Sequence, residues 1–186
     1  MGLRVKSFGA TVACISLASL ALLNPAAANE IELSFSDELI DLRYTMDHYN
    51  NFFGRAAIAR SDYDDIDTNH ANYTIFAQDK LESFDVLLGA RAFWLDAEDD
   101  DGYGVALGIG VSREILFKLH ASVEVYYAPD IITGGDFDDL FDADLRLRYQ
   151  LLENASLFVG YRKLEVDAGQ DVDIYDDPYV GIKFVF

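Results

Sequence analysis

The residues with the clearest chemical potential are His120, Ser122 and Glu124, which carry a base, a hydroxyl and an acid at two-residue spacing. On an extended strand that spacing puts all three on one face. A base, a hydroxyl and an acid in contact would activate the hydroxyl for acyl transfer. Residues two apart on a strand are nevertheless ~6–7 Å apart, whereas a nucleophile and its base need about 3 Å. Packing is therefore the first reading of this triplet.

The second candidate is acidic. Asp96-Ala97-Glu98-Asp99-Asp100-Asp101-Gly102 offers hard oxygen ligands, but the glycine comes one place late for an EF-hand and the twelfth position is Leu107. That motif is excluded. Weak Mg²⁺ or Ca²⁺ association with surface carboxylates, bridging to lipopolysaccharide phosphates, stays an expectation beside a simply solvated acidic surface. His48 is expected in a turn and His70 in a loop, neither at ligand spacing. No P-loop, dinucleotide fingerprint or zinc motif occurs, so no metal site and no cofactor is expected.

The elements that hold these residues begin after an export signal. Arg4 and Lys6 precede a mostly apolar run from Phe8 to Leu23, and Ala26-Ala27-Ala28 supplies a small-residue cleavage site. Residues 1–28 read as a cleaved signal peptide and 29–186 as one domain. Cys14 is the one cysteine of the sequence and leaves with the signal, so no disulfide or thiol chemistry remains. The formal net charge of −19 argues against nucleic acid as a partner. A composition half hydrophobic, with 13 Phe and 11 Tyr, argues against disorder. No second apolar run is long enough for a membrane helix.

What recurs instead is alternation. In the last residues, DDPYVGIKFVF, Val180, Ile182, Phe184 and Phe186 share one face and Tyr179, Gly181, Lys183 and Val185 the other. The same period of two can be read in ten segments. They are 30–36, 39–47, 52–63, 72–78 (a weak one), 84–95, 102–112, 116–128, 140–151, 155–166 and the C-terminal strand.

Charged residues keep to the polar parity. Asp41, Arg43, Arg55, Asp85, Arg91, Lys118, His120, Glu124, Asp144, Arg146, Arg148, Arg162 and Lys183 would face a lumen, with Asp142 among them. Rows of opposite charge on neighbouring strands can pair there. Aromatics on the apolar parity fall near strand ends. Tyr73, Trp94, Tyr103 and Tyr127 are expected at one level and Phe84, Phe117, Tyr149 and Phe186 at the other, as two interfacial girdles.

Connections alternate between short turns (around Tyr49-Asn50, Asp79–Ser83, Arg113-Glu114 and Glu153-Asn154) and acidic loops (62–71, 96–101, 129–139 and 167–177). This is the pattern of periplasmic turns and surface loops. The fold expected is all-β, a transmembrane antiparallel up-and-down barrel of ten strands. Eight would follow if the short first hairpin or the weak fourth strand failed.

Specific words in the sequence also resemble a family. Glu124-Val125-Tyr126-Tyr127-Ala128-Pro129-Asp130, Gly160-Tyr161-Arg162, Asp177-Pro178-Tyr179-Val180-Gly181 and the Gly-rich strand 102–111 are similar to stretches of the YfaZ family of bacterial outer-membrane proteins. The likeness is strongest from about residue 102 onward. It implies a porin-like outer-membrane barrel and no catalytic residues. The terminal Phe186 resembles the signal by which such chains are recognised for insertion. Expected partners are outer-membrane lipid, lipopolysaccharide and the barrel-assembly machinery.

Two functions follow: a narrow or side-chain-plugged barrel with a structural or small-solute role, and a surface interaction or envelope-integrity protein acting through acidic loops. If arginines plug the lumen, removing Arg91 and Arg146 should raise conductance. An enzyme is not expected. A third class, a lipid-modifying enzyme, rests on His120 and Ser122 alone, a His-x-Ser pair similar to that of outer-membrane lipid A deacylases. The face that carries them points away from lipid.

Overall fold

A computed structural model of the chain describes residues 29–186, apart from 50, 64–65, 98–99 and 170. The signal peptide and its cleavage site lie outside the described residues. Eleven strands follow in chain order: β1 (Glu30–Phe35), β2 (Leu39–Tyr49), β3 (Phe52–Tyr63), β4 (Ile66–Leu81), β5 (Phe84–Ala97), β6 (Asp100–Leu116), β7 (Leu119–Ala128), β8 (Thr133–Gly135), β9 (Asp139–Leu152), β10 (Ala155–Asp167) and β11 (Asp171–Val185). Ten of them pair antiparallel with both neighbours, and β1 pairs β11 to close a barrel. Asn29 and Phe186 exchange backbone hydrogen bonds of 3.0 and 2.9 Å at that seam. The remaining strand, β8, is three residues of the loop between β7 and β9 and pairs only with the end of β6. Closure removes the exposed edges that an open sheet would present.

Alternation puts Ile40, Leu88, Leu107, Ile109, Leu145, Val159 and Phe184 outside and exposed. The polar parity is buried inside. Asn29, Phe186, Asn51 and the turns 82–83, 117–118 and 153–154 lie at one end. Tight reversal there uses left-handed backbone at Asn51, Glu82 and Lys118, whose φ angles are 67°, 56° and 64°.

Several boundaries differ from the sequence reading. β6 runs on through Arg113-Glu114 to Leu116, so the turn falls at Phe117-Lys118. Lys118 is thus a turn residue, its amide bonded to Glu114 Oε1 at 3.0 Å, and not a strand residue of the lumen. Phe117 is likewise in the turn and exposed. Three of the four acidic loops are mainly strand: β3 and β4 pair through Tyr63↔Ile66, β5 and β6 through Ala97↔Asp100, and β10 and β11 through Asp167↔Asp171. Asp and Asn are poor strand formers in isolation, but ladder pairing with a fixed neighbour overrides that preference. Of the four segments, the connection between β7 and β9 is the one whose described residues form mainly a loop, with a 3-10 turn over Asp130–Ile132. His70 falls inside β4 and His48 inside β2.

The extra strand length rises beyond the membrane. β1 and β2 turn back early, so β11 below Tyr179 in number pairs with β10 alone, since its β1 register stops at Phe35↔Val180. A strand edge without partners cannot face hydrocarbon, which puts the outer boundary of the hydrocarbon at or below that level. Side chains bridge the notch: Ser61 Oγ donates to the Ile174 carbonyl (3.0 Å), and Tyr63 meets Tyr175 edge to face (6.1 Å). Outward residues above the boundary are charged, including the Arg60–Asp67 pair (2.9 Å) and the Lys163–Glu165 pair (2.6 Å).

The glycines of β6 give the inner wall room, and aromatic rings take it. A Cβ on Gly102 would collide with the Phe137 ring and one on Gly108 with the Tyr126 ring. Gly108→Ala is therefore expected to destabilise the refolded barrel by about 1–3 kcal/mol, the cost of overpacking a filled core. Urea titration of the variant beside the parent checks this.

Candidate functional site: the barrel lumen

Across the middle of the barrel the inward residues form a belt of five arginines and five carboxylates. Asp41 on β2 takes Arg43 at 2.8 Å and Arg162 at 3.1 Å. Arg43 reaches over to Asp144 on β9 at 3.0 Å. Arg146 joins Asp144 and Glu32, both at 2.7 Å. Asp142 holds Arg162 at 2.9 Å and also Arg91 of β5. Arg55 of β3 meets Glu124 of β7 at 2.9 Å. Arg43–Asp144 and Arg55–Glu124 join strands four places apart around the ring of ten, and Arg146–Glu32, Arg162–Asp41 and Arg91–Asp142 join strands three apart. Guanidinium suits the task because its planar fork of donors serves two carboxylates at once.

Aromatic rings brace the belt. The Arg91 guanidinium lies 3.5 Å from the Tyr126 ring centroid, and Arg146 lies 4.7 Å from that of Phe158. Tyr179 Oη donates to Asp144 Oδ1 and accepts from Arg146 Nε at 2.9 Å. A charge removed from water needs this degree of hydrogen bonding to be tolerated.

Towards the outer end the lumen becomes apolar. Phe93, Leu95, Phe137, Leu140, Leu164, Val166, Ile174 and Tyr175 form one buried cluster with Tyr126 and Tyr179. Phe137 comes from the loop between β7 and β9 and is 4% exposed. At the edge of this cluster sits His70, buried, with neither ring nitrogen hydrogen-bonded to protein. It borders a gap of about 10 Å³ shared with Thr68 and Arg162. That is at the lower limit of the room one water needs.

On the other side of the belt, towards the short turns, lies a cavity of about 300 Å³. Asp85, His120, Ser122, Arg148 and Lys183 line it with members of the belt. Of the residues read as lumenal from the sequence, these occupy the cavity, while Asp41, Arg43, Arg91, Asp144 and Arg162 occupy the belt, and Arg55, Glu124 and Arg146 border both. Lys183 pairs with Glu30 at 2.6 Å. Glu32, absent from that reading as a site residue, joins the belt from the polar face of β1. Its alternation with Ile31 and Leu33 was the available signal.

The triplet on β7 is dispersed. Glu124 is held by Arg55, and among the described residues no hydrogen bond joins His120 to Ser122. Ser122 faces Ser112 across the ladder and His120 faces Arg148. All three point inward. Among the described residues no group of three or more His, Cys, Asp and Glu is placed to hold a metal ion.

Of the aromatics read as girdles, Tyr73, Phe84, Trp94, Tyr103, Tyr127, Tyr149 and Phe186 are exposed on the outer surface, while Phe117 is exposed in its turn. Trp94 and Tyr103 are direct cross-strand neighbours. Tyr161 is outward as well and bonds Asp176 at 2.7 Å. Tyr73 instead leans over Gly54 to His48, with Oη 3.4 Å from Nε2.

Comparison with known proteins gives three results. A family model described as YfaZ precursor matches residues 8–186. The Escherichia coli (strain K12) protein named Outer membrane protein YfaZ is 32% identical over 90 residues, which are 47% of this chain and 49% of that protein. The match thus spans about half the length of that curated relative. Among solved structures, the outer membrane protease OmpT from Escherichia coli aligns with a TM-score of 0.54 at 9% identity, over 86% of this chain and 93% of that one. A KdgM porin aligns with a TM-score of 0.48 at 10% identity, over 86% and 99%. At 9% identity the likeness to OmpT speaks to fold alone.

Proposed function

The chain belongs to the YfaZ family and is a β-barrel of the outer membrane, and from that premise we propose that its lumen is closed to solutes and that it works as a structural, surface-presenting barrel. The observation that carries this reading is the belt. Its guanidiniums and carboxylates are mutually paired across the lumen and nearly all buried. A ten-stranded barrel is only a little wider than one filled by its own side chains. A second layer, the apolar cluster around Phe137 and Tyr126, lies between the belt and the outer end.

The direct test is planar-bilayer recording of the refolded mature protein, with circular dichroism to confirm strand content. The expected record is silent. Regular single-channel steps would overturn the reading and restore passage of small solutes as the function. A role at the cell surface is favoured by the charged rim above the membrane, where Asp37, Asp62, Asp67, Asp101, Asp136 and Asp171 are exposed. Its partners would be lipopolysaccharide, with divalent cations between phosphate and carboxylate, or a basic surface, but not nucleic acid. Insertion is assigned to the barrel-assembly machinery through β11 and Phe186. The reading includes no catalysis, because Glu124 is engaged by Arg55 and His120 and Ser122 face away from lipid.

A further inference from the structure

The cavity on the short-turn side of the belt has an uneven lining. Its charges cancel in pairs except for three. Glu30 is paired with Lys183, Glu32 with Arg146 and Glu124 with Arg55. Asp47, Asp85 and Arg148 line the same space and, among the described residues, make no ion pair.

These three are not scattered. Asp47 is the cross-strand neighbour of Phe53, on β2 and β3. Phe53 stacks on Phe76 with centroids 5.3 Å apart, and both line the cavity. A carboxylate beside an aromatic face is ammonium-binding chemistry. Arg148 is the cross-strand neighbour of His120, on β9 and β7, with Ser122 one inward position further along β7. A guanidinium with an imidazole and a hydroxyl is carboxylate-binding chemistry. Counting strands around the ring, β3 is diametrically opposite β9, so the two groups face each other across the cavity. Asp85, on β5, lies between them.

We propose that this cavity is a binding site for a small linear diamino acid entering from the periplasmic side. The carboxylate goes to the Arg148 and His120 side and the distal ammonium to the Asp47 and Phe53 side. Two acids against one base call for one net positive charge in the occupant. A diamino acid supplies that, with one carboxylate and two ammonium groups. A plain anion would meet five carboxylates in the lining, and a plain amine would leave Arg148 unpaired. The site ends blindly at the belt, so it suits capture rather than passage. It depends on the lumenal geometry and not on whether the barrel conducts.

The test is titration of L-lysine into the refolded mature protein in detergent, read by saturation-transfer NMR and calorimetry. Saturable binding is expected, with n-butylamine and butyrate each at least about tenfold weaker. Arg148→Gln and Asp47→Asn are each expected to weaken lysine by about tenfold or more. Neither residue is in the belt, so both variants should keep the parent's circular dichroism and heat-modifiable migration. No saturable lysine binding to the parent, or unchanged affinity in both well-folded variants, overturns the proposal. Equal binding of butyrate alone overturns the ligand class. Conductance is read separately, so an open channel that still binds lysine would refute closure and leave this site standing.

Discussion

Asp142→Ala is expected to lower the stability of the refolded barrel by about 3–5 kcal/mol, the usual cost of removing one partner from a buried ion-pair set. Asp142 is the point where two strands meet a third: Arg162 from β10 and Arg91 from β5 both bind its carboxylate. With the carboxylate gone, two guanidiniums remain buried at close range. Arg162 keeps Asp41 at 3.1 Å, whereas Arg91 keeps, among the described residues, Thr74 Oγ1 at 3.2 Å and the Tyr126 ring. Uncompensated charge, more than lost attraction, sets the size of the effect.

The measurement is urea-induced unfolding in lipid vesicles, followed by the fluorescence of Trp94, the single tryptophan. A companion variant separates the causes. Asp142→Leu combined with Arg91→Leu and Arg162→Met removes charges of both signs, and it should recover much of the loss, because apolar replacement of a whole buried set is often neutral. A loss under about 1 kcal/mol for Asp142→Ala would mean that water reaches the belt and screens it.

Opening the lumen should require breaking two layers. Removing Arg91 and Arg146 alone, the change that the charge pattern suggests, takes away part of the belt and leaves the apolar cluster beyond it. Phe137 and Tyr126 still lie above, packed over Gly102 and Gly108. The double variant is therefore expected to stay silent in planar bilayers. Adding Phe137→Ala and Tyr126→Ala removes the two rings of the outer layer that pack over Gly102 and Gly108, and discrete steps are expected only in this fourfold variant. Because cavities in a core cost several kcal/mol each, its folding must be checked by heat-modifiable migration before any recording is read. Steps in the arginine double variant would show that the belt is the whole barrier. A silent but folded fourfold variant would put the barrier elsewhere in the apolar cluster.

Much of this molecule is legible in its sequence because the bilayer imposes a simple code. A membrane strand must alternate, as Tyr103 to Val111 and Val180 to Phe186 do, and closure demands that the strands be counted as a ring. The family resemblance, carried by words such as Glu124–Asp130, agrees with the family model that matches residues 8–186. The parity of Asp41, Arg43, Arg91, Asp144 and Arg162 follows from the same code, since charge avoids lipid.

Tertiary structure decided the rest. Turn positions shifted where strand pairing outweighed local preference, so that Lys118 left the lumen for a turn and His70 entered it from a presumed loop. Three acidic segments became strand, because a neighbour's ladder continues past the membrane whatever the side chains prefer. Alternation says that a residue points inward but not which partner it meets: Asp142 joins Arg91 and Arg162, and Asp47 and Arg148 stay unpaired, through strand stagger around a closed ring. The role of the glycines was also hidden. A glycine-rich face reads as free space in one strand, and only the neighbouring strand shows that a ring fills it.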